Sequence, residues 1–149
     1  MREDLRDELV DLCYSLARRG YEEGGVPVGS VLARGSAVVA TGYNKRVQLG
    51  DPIAHGEMDC LRNAGRQRTY RDTTLYTSLS PCMMCAGTIV QFKIPRVIIL
   101  ENVNFGGNED FLRGQGVHVR ILGDERCIAL MRDFIENNPS LWNEDIAEG

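Results

Sequence analysis

The sequence predicts an α/β protein: a three-layer α/β/α sandwich around a five-stranded mixed sheet. Three observations lead to this prediction. Two neighbouring β-rich segments form a hairpin pattern, helical and β-rich segments alternate after it, and the 149 residues amount to about one domain. A helix between the last two strands leaves room for a parallel connection, which a tight turn does not. We therefore expect one domain over 1–149 with helices on both faces of its sheet.

The first part of the chain predicts a helix, a hairpin and a second helix. Apolar residues recur every three or four positions at the start and predict an amphipathic helix that ends at Gly20. These residues are Leu5, Leu9, Leu12, Cys13 and Leu16. The segments 28–33 and 37–43 are rich in β-forming residues, and the short link between them predicts an antiparallel hairpin. A loop then leads to a helix over 55–63, which Gly65 ends.

The remainder predicts alternating strands and helices. Strands are expected at 73–79, 96–101 and 117–122, and a short helix at 109–113. Pro81 suits the first turn of a helix that runs to about Phe92. Asp124 is a good N-cap for a helix through Asn137, and Pro139 then begins a tail.

Composition and charge exclude several classes of protein. The 17 basic and 21 acidic residues give a net charge of −4, so we expect no nucleic-acid partner, which normally needs a basic face. The longest purely aliphatic run, 97–100, is far shorter than the roughly 20 residues that span a bilayer, and the charged start does not resemble a signal peptide. The odd number of cysteines, five, argues against a disulfide framework and predicts a cytoplasmic protein.

Three side chains of metal-ligand type stand out. Cys82 and Cys85 form a C-x-x-C at a predicted helix start, a pattern that redox motifs and half zinc sites share. With His55, they make three protein ligands, one fewer than the closed tetrahedron of a structural zinc site. The remaining candidates fit packed helix or strand positions: Cys13, Cys60, Cys127 and His118. An open fourth position is typical of a catalytic zinc, which binds water there.

Glu57 follows the candidate ligand His55 by two positions. By itself, an acid in the first turn of a helix would only complement the helix dipole. Beside a zinc with an open position, it can instead take a proton from water and pass it on, and Gly56 would let a substrate approach the backbone. The order H-x-E then P-C-x-x-C, present at 55–57 and 81–85, is the zinc deaminase signature, in which this Glu is not a ligand.

Further segments extend the likeness over nearly the whole chain. They are 20–29, Asn44, 72–77, 79–82, 101–105, 124–127 and 142–146. With these segments the sequence resembles the cytidine-deaminase superfamily, and more closely its fungal cytosine deaminases. The resemblance implies a cytidine deaminase-like form of the fold above and a homodimer. It also implies one Zn²⁺ per chain, held by His55, Cys82 and Cys85.

The resemblance also implies roles for individual residues. Zinc-bound hydroxide would attack C4 of free cytosine, in pyrimidine salvage, while Glu57 moves the protons that yield uracil and ammonia. The Ser80 carbonyl would face the departing amine, and Asn44 with the Gly56 backbone would hold the O2 and N1 edge of the ring. The tail 139–149 would act as a lid. Other implied substrate-binding residues are Val28, Leu79, Phe105, Trp142 and Asp145.

Elementary chemistry supports two of these roles and leaves alternatives to them. An amide such as that of Asn44 can donate to a carbonyl and accept from an adjacent N–H, a two-point match to free cytosine, although Asn is also a common turn residue. Trp142 would stack on a flat ring as part of a lid, or dock a C-terminal helix as a surface aromatic. Departures from the family at 53–54, Met83 and 106–108 leave the choice of substrate open.

Two alternative functions remain open at this point. One is the same chemistry on another amine: guanine, cytidine, or adenosine in tRNA. The other is a non-catalytic zinc or thiol-redox module built on Cys82 and Cys85, which leaves the H-x-E motif at 55–57 unexplained.

Overall fold

The structure, a computed structural model, describes residues 6–148, and its strands form one mixed sheet. The strands are β1 (Gly29–Arg34), β2 (Ala37–Tyr43), β3 (Thr74–Thr77), β4 (Arg96–Ile99) and β5 (His118–Ile121). Their order across the sheet is β2-β1-β3-β4-β5. β1 pairs antiparallel with β2 and β3, whereas the β3–β4 and β4–β5 pairs are parallel. The predicted five-stranded mixed sheet, its hairpin and its parallel last connection are confirmed.

Helices cover both faces of this sheet. They are α1 (Asp7–Glu22), α2 (Arg46–Leu49), α3 (Gly56–Ala64), α4 (Met83–Gln91), α5 (Glu109–Gly114), α6 (Glu125–Asn137) and α7 (Pro139–Asp145). Side chains alternate along β1, so Leu32 packs with α3 and α4 whereas Val31 packs with α1 and α6. No helix within residues 6–148 is long and apolar enough to span a membrane.

α1 does not end at Gly20, as the sequence had indicated, but continues to Glu22. A Cβ on Gly20 would lie 3.2 Å from the Tyr43 ring and 3.3 Å from the Val26 carbonyl oxygen. The glycine therefore allows close packing inside the helix and does not terminate it. Leu5, the first residue of the predicted apolar stripe, lies outside the described residues.

The prediction that Pro81 lies in the first turn of a helix is wrong. α4 begins at Met83 and has Cys82 as its N-cap, with extended backbone at φ −71° and ψ 176°. The last three strands are also shorter than predicted. β3, for example, ends at Thr77, because the chain then turns away and the Ser80 N–H donates to the Glu101 carbonyl at 3.0 Å.

Three helix ends agree with the sequence prediction. Gly65 follows α3 with a positive φ of 69°, the left-handed backbone that glycine adopts readily. The Asp124 side chain accepts from the N–H groups of Arg126 and Cys127, and α6 ends at Asn137 as expected. The tail predicted to begin at Pro139 is instead a helix, α7, because the missing N–H of proline costs nothing in the first turn. The four-residue α2 was not predicted, since so short a helix has no apolar repeat to reveal it.

Candidate active site

The three candidate ligands meet where two helices begin. His55 is the N-cap of α3, Cys82 is the N-cap of α4, and Cys85 lies in the first turn of α4. His55 Nδ1 is 3.4 Å from Cys82 Sγ and 3.9 Å from Cys85 Sγ, and the two sulfurs are 3.7 Å apart. The unpaired N–H groups of a helix N-terminus favour the thiolate form that metal binding needs.

This cluster fits a zinc ion. Ligands at zinc bond lengths of about 2.0–2.3 Å on a tetrahedral ion are themselves roughly 3.5–3.8 Å apart, close to the separations of these three atoms. One imidazole and two thiols are also the donors that zinc prefers. The ligand atoms of these three residues all lie within 4.8 Å of one another. Within residues 6–148, no other group of three or more His, Cys, Asp or Glu side chains comes this close together.

The two thiols differ in their acidity. The hydrogen bond between Cys82 and Cys85 and the contact with His55 together lower the pKa of Cys82 to about 4, although burial acts in the opposite direction. The same bond, together with burial, raises the pKa of Cys85 well above its ordinary value. Burial lowers the pKa of His55, but the contacts with Cys82 and Asp145 outweigh it and raise the value to about 9. Contact among the three side chains therefore favours the thiolate form of Cys82.

Glu57 lies in the same cavity as the ligand cluster. It is in the first turn of α3, is 4% exposed and lines the cavity beside His55 and Cys82. Burial raises the pKa of Glu57 to about 7, and the Cys82 sulfur adds to this rise. A carboxyl group with such a pKa can both accept and release a proton near neutral pH, as an acid/base catalyst requires.

One cavity brings together nearly all of the predicted site residues. Its lining consists of Val28, Asn44, His55, Glu57, Leu79, Ser80, Cys82, Phe105, Trp142, Asp145 and Ile146. Cys85 is fully buried behind this lining. Gly56 is absent from the lining, and a Cβ on it would lie 2.8 Å from the Val28 carbonyl oxygen. This glycine therefore lets α3 pack against the Val28 backbone.

Asn44, at the end of β2, is held at both ends of its side-chain amide. Its Nδ2 donates to Asp145 Oδ1 at 3.1 Å, and its Oδ1 accepts from the Arg46 N–H at 2.9 Å. Asp145 Oδ1 is also 3.6 Å from His55 Nε2, the ring nitrogen that faces away from the sulfurs. A carboxylate on the far nitrogen of a metal-binding histidine fixes the orientation of the ring.

Two aromatic side chains of the cavity lining contact each other. Phe105, in the loop after β4, meets Trp142 of α7 edge to face, with ring centroids 6.2 Å apart. Trp142 is 7% exposed, so it is not a surface aromatic. Ile146, which follows α7, was missed by the sequence reasoning, although its spacing of four from Trp142 places both on one helix face.

Ser80 lies between β3 and α4, is 2% exposed and borders the cavity. Its hydroxyl donates to Glu109 Oε2 at 2.5 Å. Glu109 is a second residue that the sequence reasoning missed, because nothing local links two positions 29 residues apart.

Two comparisons of sequence agree with this geometry. The profile of the cytidine and deoxycytidylate deaminase zinc-binding region matches residues 3–101, which include all three candidate ligands. The chain is 49% identical over 135 residues to a cytosine deaminase of Candida albicans, covering 89% of this chain and 90% of that protein. It is 42% identical over 80 residues to a tRNA-specific adenosine deaminase of Buchnera aphidicola, about half of each chain.

Solved structures share the fold. A tRNA:A34 deaminase structure superposes with a TM-score of 0.74 at 28% identity, covering 84% of this chain and 99% of that one. A guanine deaminase from Nitrosomonas europaea gives a TM-score of 0.72 at 21% identity, covering 83% and 81% of the two chains. The sequence matches agree with a cluster of three potential zinc ligands next to a buried acid. This chain therefore belongs to the zinc-binding cytidine and deoxycytidylate deaminase family.

Proposed function

We propose that this protein hydrolyses free cytosine, so that cytosine and water give uracil and ammonia. The observation that carries the proposal is the buried Glu57 beside the cluster of His55, Cys82 and Cys85, inside one covered cavity. The 49% identity to a cytosine deaminase, over nearly the full length of both proteins, supports this choice of substrate.

The residues of the cavity divide the chemistry between them. His55, Cys82 and Cys85 would hold Zn²⁺, which supplies Lewis-acid activation of a water molecule at neutral pH. Glu57 takes one proton from this water and passes it to ring N3 as the water oxygen bonds to C4. It then takes the second proton, from the hydroxyl group on C4, and passes it to the amino group, so that the C4–N bond breaks and ammonia leaves. The Ser80 carbonyl accepts a hydrogen bond from the departing amine.

Recognition of the ring rests on the other residues that line the cavity. The Asn44 amide donates to O2 and accepts from N1–H. Asp145 accepts a hydrogen bond from the base, while Val28 and Leu79 pack against the ring. A nucleoside carries its sugar where free cytosine carries N1–H, so this pairing selects the base.

The C-terminal segment 139–149 serves as a lid in this proposal. Trp142 and Ile146 lie over the cavity, and the Arg46 side chain pairs with Glu144 at 2.6 Å beside it. This cover excludes water from the ring. It also favours a small free base over a nucleic-acid strand, whose entry needs an open groove.

The relatives that act on tRNA define the alternative. Several similar proteins are tRNA adenosine deaminases, and one of the structural neighbours is a guanine deaminase. Under the alternative reading, this site would deaminate a tRNA adenosine, guanine or cytidine. A thiol-redox module based on Cys82 and Cys85 would instead form a disulfide and bind no zinc.

We further propose that the protein acts as a homodimer in the cytoplasm, in pyrimidine salvage. Large apolar side chains stay exposed on the neighbouring helices α4 and α5, namely Met83, Phe92 and Phe111. A second copy of the chain would cover them. All five cysteines are unpaired, as expected in a reducing compartment.

The decisive experiment measures ammonia release from cytosine, cytidine, guanine and adenine side by side, together with a tRNA anticodon stem-loop. Zinc content and sedimentation are measured on the same preparation. We expect turnover of cytosine, about one zinc per chain and the mass of a dimer. Preferred turnover of another substrate would replace the proposed reaction. A Cys82–Cys85 disulfide without zinc would point to the redox module.

A further inference from the structure

The Glu109 carboxylate connects two walls of the cavity. Its Oε2 accepts from the Ser80 hydroxyl at 2.5 Å and from Asn102 Nδ2 at 3.4 Å, and its Oε1 accepts from the Gly107 N–H at 2.9 Å. Ser80 belongs to the wall ahead of α4, whereas Asn102 and Gly107 belong to the loop that carries Phe105. One side chain thus joins the two segments that border the cavity.

A second contact joins the same two segments. Asn108 Nδ2 donates to the Pro81 carbonyl oxygen at 3.0 Å. Ser80 and Pro81 are therefore both tied to the end of the Phe105 loop. If Glu109 were only the first-turn acid of α5, this would explain its hydrogen bond with the Gly107 N–H. It would not explain why the second carboxylate oxygen of Glu109 accepts from Ser80, which borders the cavity.

Glu109 makes these bonds as an anion. Against the cost of partial burial, the hydrogen bonds from Ser80 and the Gly107 N–H lower the pKa of Glu109. Hydrogen bonds to an ionised acceptor are about twice as strong as neutral ones, so the charge matters to the strength of the link.

We propose that Glu109 is a positioning residue for the deamination, fixing Ser80 against the Phe105 loop and so setting the width of the cavity for a flat ring. The expected effect on the KM for cytosine rests on the proposed function. Glu109 does not touch the substrate. It acts through Ser80, which borders the cavity, and through the loop of Phe105, which packs against Trp142.

The test compares Glu109→Gln with Asp110→Asn, which makes the same charge change on the next residue, exposed and outside the cavity. We expect Glu109→Gln to raise the KM for cytosine about fivefold and Glu109→Ala about 20-fold, because a charge-assisted bond is weakened or lost. The kcat and the zinc content should stay within about twofold of wild type, since the ligands and Glu57 are untouched. Asp110→Asn should match wild type.

A double-mutant cycle tests whether Glu109 acts through Ser80. In a Ser80→Ala background, Glu109→Gln should change KM by less than about twofold, because its partner is already gone. An undiminished effect in that background would overturn the inference. So would a Glu109→Gln variant whose melting temperature and active fraction fall while its KM stays unchanged, because that is the result of a purely structural role.

A spectroscopic readout separates this inference from the proposed substrate. Trp142 is the single tryptophan of the chain, so its emission reports the Phe105 contact directly. In Glu109→Gln, the emission should move to longer wavelength and acrylamide should quench it more strongly, whereas Asp110→Asn should leave both unchanged. If wild type fails to deaminate cytosine, the proposed function fails. The emission measurement still tests whether Glu109 fixes the Phe105 loop. Identical emission in the two variants would refute it.

Discussion

Asp145, close to the end of the chain, accepts a hydrogen bond from Asn44 Nδ2 at 3.1 Å, across 101 residues. The same carboxylate oxygen is 3.6 Å from His55 Nε2. The other end of the Asn44 amide accepts from the Arg46 N–H, so protein groups fix the orientation of the amide. One N–H and one oxygen lone pair of the amide remain for a base, and Asp145 contacts both Asn44 and His55.

Replacing Asp145 should weaken binding of the base without removing the metal. Asp145→Ala removes a charged hydrogen-bond partner, which costs about 1.5–3 kcal/mol, so we expect the KM for cytosine to rise at least about tenfold. Zinc should remain near one per chain, since Asp145 is not one of the three ligands. Steady-state kinetics and metal analysis measure both, with Glu136→Ala as a control on the exposed side of α6. An unchanged KM would remove Asp145 from the proposed binding site.

Replacing Glu57 should separate catalysis from metal binding. Glu57→Gln keeps the size of the side chain but cannot carry a proton, so kcat should fall by about 10³-fold. The variant should keep its zinc, because Glu57 is not part of the ligand cluster. Single-turnover ammonia release and zinc analysis on one sample test both statements. Activity within tenfold of wild type would contradict the acid/base role.

Short-range patterns were sufficient to predict which side chains form the candidate metal cluster. His55, Cys82 and Cys85 lie at the starts of two helices, and each half of the signature fits within a few residues, whereas the signature as a whole indicated that the two halves meet. The Asp124 cap was predictable for the same reason, since its donors are the N–H groups of the next residues.

Long-range packing determined what could not be predicted. Gly20 follows the usual pattern for a helix end, yet α1 continues to Glu22, and the glycine instead allows the close approach of Tyr43. The contact between Glu109 and Ser80 depends on how the loop after β4 folds back onto the start of α4. No periodicity or spacing in either segment encodes this juxtaposition, and it appears only once the sheet is assembled.

The N-cap of α6 should contribute measurably to stability, and its contribution should depend on pH. Against the cost of partial burial, the hydrogen bonds from Arg126 and from the Cys127 N–H lower the pKa of Asp124 below its ordinary value of 3.8. A lowered pKa stabilises the folded state above that ordinary value, and the gain is lost as the pH falls through the lowered value. Asp124→Ala should therefore reduce the free energy of unfolding by about 1–2 kcal/mol at neutral pH.

Urea unfolding as a function of pH checks this prediction. The difference between wild type and Asp124→Ala should shrink once the pH drops below about 4. Glu125 lies in the first turn of α6 but is not the residue that makes the cap bonds. Glu125→Ala should therefore lower the free energy of unfolding by less than about 0.5 kcal/mol. Equal losses in the two variants, or a difference that does not change with pH, would show that the cap bond is not the source of the stability.

Asp59 holds the residues on both sides of Asn44. Its Oδ2 accepts from the Tyr43 N–H at 3.1 Å and pairs with Lys45 Nζ at 2.9 Å, and its side chain is only 6% exposed. Lys45→Ala leaves this buried carboxylate without its cation, so we expect a loss of about 2 kcal/mol. That is below the roughly 3–5 kcal/mol for a fully buried pair, because the Lys45 side chain is 26% exposed.

Two further variants identify the origin of this loss. Arg34→Ala breaks a solvent-exposed pair with Asp72 and should cost less than about 1 kcal/mol. Adding Asp59→Asn to Lys45→Ala should recover most of the stability that Lys45→Ala loses, because the amide oxygen can still accept from the Tyr43 N–H while no charge stays buried. Urea unfolding of the four proteins, wild type and the three variants, measures each step. If the double variant is less stable than Lys45→Ala, the destabilisation does not come from an unpaired carboxylate.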